Sequence, residues 1–379
     1  MGGLRPGATD AARGPFLGPL SWMKDQTFLM NTSISLKYVL GSITAAVLFA
    51  GCSAGGTQSF APPGPAQQNP AQSNPNGKSL AQVMAITLQR SVPMNVLPDH
   101  QQSWMSPEAK TERLLYVSDQ GTDDVDVFSY PKGKLVGTLT GFDAPYGQCA
   151  DKSGNVFITQ FDAANVVEYA HGRSNRIKTL AFSGQYPIGC SVDPKTGDLA
   201  VSTFDPGGVF VFHHAKGIPM EYTSPNLQYY FPPAYDDRGN LFVEAEAPSS
   251  AGSHVVELPY GESHFKEIYL NVTINYPGGA QWDGTYLALD DQLFGNTGGS
   301  GIYQIQVKGK FGTEYRNFAL PGSCGSPDVV QPSLQGSKLV APDVACGNVG
   351  FDKYPGGENE KYLHHTQHPI GATVSEVNI

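Results

Sequence analysis

The chain has 379 residues, of which only 15% are charged, and 24 Lys+Arg against 34 Asp+Glu give a formal net charge of −10. A negative field of that size argues against nucleic acid and anionic lipid as electrostatic partners. Glycine (44) and proline (29) are abundant, as a turn-rich β protein requires.

Residues 1–29 carry no targeting signal and read as an extension ahead of a natural start at Met30. Residues 30–51 then read as an export signal: Lys37, an apolar stretch from Tyr38 to Ala50, and small residues before Cys52. The stretch is too short to span a bilayer comfortably. Leu48-Phe-Ala-Gly-Cys52 resembles a bacterial lipobox, with Phe49 in place of the usual aliphatic residue, so Cys52 is the expected lipidation site. Loss of residues 1–51 removes four basic and two acidic side chains and leaves a net charge of −12. Residues 52–78, rich in Pro, Gln, Asn and Ser, cannot bury apolar area and read as a flexible tether. Residues 79–112 form a short mixed segment, with a helix expected near Leu80–Leu88 and Trp104 expected to pack on the domain that follows.

From residue 113 to 379 a repeat takes over. Pro145, Pro187, Pro232, Pro277, Pro327 and Pro369 are spaced by 42, 45, 45, 50 and 42 residues. Glycine follows in Pro145-Tyr-Gly147, Pro187-Ile-Gly189, Pro277-Gly-Gly279 and Pro369-Ile-Gly371. Aspartate ends the first strand at Asp151, Asp193, Asp236 and Asp283, and a β-branched or aromatic run follows each turn. A second turn closes each third strand, as in Tyr130-Pro-Lys-Gly133 and Tyr354-Pro-Gly-Gly357. Leu114–Asp119 reads as a second strand with no first, and Pro369–Ser375 as a first strand with no second. The expected fold is all-β: a six-bladed β-propeller of four-stranded antiparallel blades, closed by the C-terminal strand joining the first blade. An open solenoid would call for caps rather than complementary half-units.

In these residues the chain resembles NHL repeats and the wider propeller group that includes the SMP-30/gluconolactonase enzymes, over roughly Leu114–Ser375. Val166 stands where the NHL pattern has arginine. The gluconolactonase-like enzymes begin their first blade with Glu-Gly-Pro, which this chain lacks there. No Gly-x-Ser-x-Gly elbow occurs, and no spacing joins Ser, His and Asp into a triad.

Apart from Cys52, four cysteines remain. Cys324 and Cys346 flank a hairpin that turns near Gln335-Gly-Ser337, so a disulfide is expected. Cys149 and Cys190 occupy matching places in consecutive first strands, where either a bridge or two buried thiols would fit.

The face where second strands end gathers carboxylates and imidazoles. Asp119, Glu244, Asp291, Asp343, His365 and His368 are candidate ligands for a divalent cation, against the plainer reading that acidic strand ends cap turns. His213-His214 closes a third strand away from the channel and reads as surface. Tyr229-Tyr-Phe231 could contact a ligand or fill the core between blades. The expected function is an exported, membrane-anchored, monomeric binding or scaffold module of the cell envelope, possible at an outer membrane. It would need no cofactor and would bind a protein, peptide or glycan. The alternative is a metal-dependent lactonase, hydrolase or lyase at the channel mouth.

Overall fold

The computed structural model describes residues 102–248, 253–295 and 298–377. The 1–29 extension, the 30–51 signal, Cys52, the 52–78 tether and the Leu80–Leu88 segment lie outside the described residues.

Strand β1 (Trp104–Met105) and a single 3-10 turn at Pro107–Lys110 precede β2 (Leu114–Asp119), β3 (Asp124–Ser129) and β4 (Leu135–Leu139). The second run holds β5 (Pro145–Ala150), β6 (Val156–Gln160), β7 (Asn165–Tyr169) and β8 (Arg176–Ala181). The third holds β9 (Pro187–Val192), β10 (Leu199–Thr203), β11 (Gly208–Phe212) and β12 (Met220–Tyr222). The fourth holds β13 (Tyr229–Tyr230), β14 (Ala234–Tyr235), β15 (Leu241–Glu246), β16 (Ser253–Leu258) and β17 (Lys266–Leu270). The fifth holds β18 (Pro277–Trp282), β19 (Leu287–Phe294), β20 (Gly299–Lys308) and β21 (Phe311–Ala319). The sixth holds β22 (Ser333–Gln335), β23 (Lys338–Asp343), β24 (Asn348–Lys353) and β25 (Asn359–Leu363), and β26 (Pro369–Ser375) follows. The result is all-β, a propeller-like arrangement of antiparallel meanders with almost no helix.

The aspartates that end the first strands set the turns. Asp151 Oδ1 accepts the N–H groups of Ser153 and Asn155 at 2.8 Å, and Asp236 does the same for Arg238 and Asn240. Asn155 and Asn240 donate their side-chain amides back to Asp151 and Asp236 at 2.9 and 2.8 Å. These Asx turns hold the hairpin corner in place of further ladder bonds.

Pairing departs from six separate four-stranded sheets in two places. The first sheet has five strands, ordered β1-β4-β3-β2-β26, because Met105 lies over Gly137, where an added Cβ would sit 2.3 Å from its sulfur. The fourth and fifth runs merge into one nine-stranded sheet, because β17 pairs in parallel with β21 through Tyr269↔Phe311 and Leu270↔Gly312. Pro145, Pro187, Pro277 and Pro369 each open a first strand as expected. Around Pro232 and Pro327 the first strand is broken instead, into β13 and β14 in one run, and into isolated bridges at Val329 and Gln331 ahead of β22 in the other. Proline donates nothing to a ladder, and the pairs Pro232-Pro233 and Pro327…Pro332 remove donors where pairing would continue.

Apolar clusters fill the space between consecutive runs. Leu114, Tyr116 and Val127 pack on Val156 and Ile158, and Leu115, Val117 and Phe128 pack on Val340, Val349 and Phe351. β2 and β26 pair antiparallel from Leu114↔Ser375 to Asp119↔Pro369, so the last strand completes the first sheet. Both disulfides form. Cys149–Cys190 joins β5 to β9, settling the open choice at that pair, and Cys324–Cys346 closes a loop beside β23; each has a Cα–Cα distance of 5.6 Å.

Candidate functional site

The strand-end acids expected as cation ligands are turned toward backbone. Asp119 Oδ1 accepts the N–H groups of Gly121 and His368 at 2.8 Å, and its Oδ2 accepts that of Gln367 at 2.6 Å. Asp291 Oδ1 accepts from Tyr276 and Leu293 at 3.0 Å, and its Oδ2 from the Asn275 backbone and side chain at 3.1 and 3.2 Å. Asp343 Oδ1 accepts from Asp328 and Ala345 at 3.1 Å and from Cys346 at 3.2 Å. One device recurs three times: a carboxylate at or near the end of a second strand grips both the residues just after it and the segment entering the first strand. His368 Nε2 is buried without a protein partner, and burial lowers that ring's pKa against the opposing pull of Asp119. His365 Nε2 lies 3.9 Å from Asp126, whose pKa burial raises to about 6. The structure does not gather these residues into one cluster.

Glu244 stands apart from the strand-end grips. It is fully buried, its Oε2 accepts the Gly279 N–H at 3.1 Å, and its Oε1 has no hydrogen-bond partner in the protein. Asp290, one residue before Asp291, is equally buried, and neither of its oxygens has a partner. An added Cβ at Gly278 would sit 2.1 Å from Asp290 Oδ2, so the double glycine of this repeat unit makes room for the carboxylate. Burial raises both acids well above the usual carboxylate range; the charges of Asp290 and Asp291 push Glu244 the same way, and those of Asp291 and Asp328 push Asp290. Carboxylates cut off from solvent disfavour ionisation, so protonation or a bound cation is the physical remedy. In sequence Asp290 and Asp291 stand together at a second-strand end, and the strand-end pattern alone does not tell them apart. Strand alternation, which sends neighbours to opposite faces, is the signal that separates them.

The middle of the arrangement is filled. An added Cβ at Gly147 would lie 2.2 Å from the Ile188 carbonyl, and one at Gly371 would lie 2.6 Å from the Tyr146 carbonyl. Gln331 reaches across to Gln148, accepting its N–H at 2.7 Å and donating to its carbonyl at 3.1 Å. Gln148 in turn donates to Ser118 at 3.2 Å and to the Gly371 carbonyl at 3.0 Å. Tyr146, Ile188, Phe231, Val330, Val344 and Ile370 cluster next to these links. Tyr230 and Phe231 are buried, so that aromatic run fills core, with Tyr229 partly buried against Phe204 at 4.9 Å.

An open concavity lies elsewhere. A cleft of about 440 Å³ is lined by Asp236, Asp237, Arg238, Glu257, Trp282 and Lys308 among others. Its walls are the turn before β15, the turn after β18 and the turn between β20 and β21, so it sits at the opposite strand ends from the expected face. The Trp282 indole N–H donates to Asp237 Oδ2 at 3.0 Å, which fixes the ring as one wall. Beyond it Tyr286 and Tyr315 stack at 4.5 Å and 10°. Trp282 escaped sequence reasoning because it ends a first strand like any core aromatic, and only the gap between two runs exposes it.

No protein-family model and no curated protein sequence matches the chain. Solved structures do. A chain of the nidogen/laminin complex superposes with a TM-score of 0.57 at 12% identity, covering 70% of this chain and 99% of that one. A functionally unknown protein from Desulfotomaculum acetoxidans gives 0.50 at 10% identity, over 70% and 100%. Virginiamycin B lyase from Staphylococcus aureus, bound to quinupristin, gives 0.47 at 14% identity, over 71% and 91%. Identities this low speak to architecture alone, and the likeness to the nidogen/laminin chain, with the meanders described above, identifies a β-propeller fold.

Proposed function

We propose that the chain is an exported, lipid-anchored and monomeric six-bladed propeller of the NHL or SMP-30-like kind. In this reading it binds a glycan, or a polar segment of a peptide or protein, through the cleft beside Trp282. Contacts between first strands support the blade count: β26 touches β5, β5 touches β9, β9 touches β14, β14 touches β18, β18 touches β22, and β22 returns to β26. Cys52 would carry the lipid, and residues 52–78 would lift the domain from the membrane, at an outer membrane if the host has one. The observation that carries the binding role is the cleft itself. One aromatic wall held by Asp237, with carboxylates at Asp236 and Glu257 and cations at Arg238 and Lys308, suits a hydroxyl-rich or mixed-charge ligand. A similar propeller chain belongs to a protein complex, nidogen/laminin.

The test is to probe the full-length chain with a glycan array and a displayed peptide library, alongside Trp282→Ala and Asp237→Asn. Ligands that bind the parent and are lost from both variants support the reading. Ligands bound equally by all three, or none bound by the parent, overturn it.

The orphaned oxygens of Asp290 and Glu244 favour a second reading, in which these carboxylates hold a divalent cation. Such an ion would supply Lewis-acid chemistry to a lactonase, hydrolase or lyase. Exposures of 1% and 0% keep a substrate from touching either acid, which ranks binding first. A stoichiometric ion that survives dialysis and is lost in Asp290→Asn would reverse that order.

A further inference from the structure

The hairpin of β10 and β11 ends in three side chains that no part of the binding role uses. Leu199 pairs with Phe212, so the next residues outward, Asp198 and His213, come opposite one another. His213 Nδ1 lies 3.0 Å from Asp198 Oδ1. His214 adopts a left-handed backbone conformation, φ 49° and ψ 37°, which folds its ring back to a centroid distance of 3.9 Å from His213. Its backbone N–H donates to the same Asp198 oxygen at 2.8 Å. The ligand-bearing atoms of these three residues lie within 4.8 Å of one another, the one such trio of His, Cys, Asp or Glu among the described residues.

The tautomer of His214 follows from its partner. Its Nδ1 lies 2.6 Å from the Thr196 carbonyl oxygen, which can only accept, so Nδ1 carries the proton and Nε2 keeps its lone pair. A histidine that donates one ring nitrogen to a carbonyl keeps the lone pair of the other for a metal. Both imidazole side chains are more than half exposed, so an ion could reach them, while Asp198 is held at 22%.

We propose that Asp198, His213 and His214 form a surface site for a borderline divalent transition-metal ion, Zn²⁺ or Cu²⁺, with its remaining positions open to solvent. Two imidazoles and one carboxylate select this class over Ca²⁺ or Mg²⁺, which take oxygen ligands. Around a tetrahedral ion with bonds of about 2.0 Å, ligand atoms stand roughly 3.3 Å apart. Rotation of the exposed rings closes the difference without moving either strand. On binding, any proton carried by a coordinating imidazole nitrogen passes to solvent. The site is remote from the Trp282 cleft in sequence and does not depend on it.

The test is calorimetric titration of the full-length chain with Zn²⁺ and with Cu²⁺ at neutral pH. It is repeated on His213→Ala, His214→Ala and Asp198→Asn, with exposed His264→Ala as the control. One ion per chain is expected, with affinity reduced roughly tenfold or more in each of the three variants and unchanged in the control. Electron paramagnetic resonance of the Cu²⁺ form is expected to show two coupled imidazole nitrogens, falling to one in His214→Ala. Affinity in both histidine variants equal to that of the parent leaves only an ion pair capping the hairpin and overturns the proposal. So does an ion whose binding follows Asp290→Asn instead. Because the two rings are exposed, their variants decide the matter even where Asp198→Asn loosens the turn.

Discussion

Asp119 and His368 are 249 residues apart in the chain, and a hydrogen bond of 2.8 Å joins the carboxylate of one to the backbone N–H of the other. The same side chain holds Gln367 and Gly121. Asp119→Ala would leave three N–H groups without their acceptor. It is expected to cost about 3 kcal/mol in urea unfolding, with Asp119→Asn costing less. Asp291→Ala and Asp343→Ala should cost similar amounts, because each carboxylate does the same work. If these losses changed with added divalent cation, the three acids would be ligands as well as grips.

The disulfides differ in exposure more than in loop length. Cys149 and Cys190 are 8% and 3% exposed and span 41 residues, whereas Cys324 is exposed and its bridge spans 22. Chain-entropy arguments give about 4 kcal/mol for the first and about 3 kcal/mol for the second. Mild reductant followed by alkylation and mass spectrometry should label Cys324 and Cys346 first. Unfolding of the double variant Cys149→Ala, Cys190→Ala should show the larger loss. Labelling of Cys149 before Cys324 would refute this order.

Glu246 gives a pH dependence of definite sign. Burial raises its pKa from 4.5 to about 8. The folded chain therefore holds a proton that the unfolded chain releases, and stability present below pH 4.5 is lost as pH rises toward about 8. The loss is on the order of 3–5 kcal/mol for this group alone. Glu246→Gln should flatten melting temperature against pH in that window and be the more stable form at its alkaline end. An unchanged slope would mean that Glu246 ionises in contact with water.

Gly147 and Gly141 separate crowding from backbone conformation. An added Cβ at Gly147 meets the Ile188 carbonyl at 2.2 Å and Gly189 Cα at 2.7 Å, with backbone on both sides. Gly147→Ala should cost about 3 kcal/mol or more. Gly141 has φ 80° with nothing within 4 Å, so Gly141→Ala should cost only about 1 kcal/mol. Denaturant midpoints on the two variants check the ratio.

Much of the architecture was legible because one local code repeats. Pro145, Pro187, Pro277 and Pro369 mark strand starts, and Asp151 and Asp236 build Asx turns that need only neighbouring residues. The glycines after those prolines were visible as a pattern, and crowding of Gly147 against Gly189 supplies the cause. What escaped depends on distant chain. The parallel seam of β17 and β21 involves side chains, Tyr269 and Phe311, that carry no mark of their pairing. The strand-end acids were found as residues, but whether Asp119 faces a channel or the Gln367 amide depends on a segment almost 250 positions later. Asp290 and Asp291 are neighbours of one type with opposite fates, and only the alternation of β19 separates them.

Pairing of β2 with β26 also orders events in time. During synthesis the first sheet emerges with β1 to β4 present and the place beside β2 empty, and the core between Leu115, Val117 and Phe351 cannot form yet. That place is taken only when Pro369–Ser375 leaves the ribosome. Until then the β2 edge is an open template for any extended chain, which exposes a nascent molecule to pairing with its neighbours. A stop before Pro369 would leave that exposure permanent.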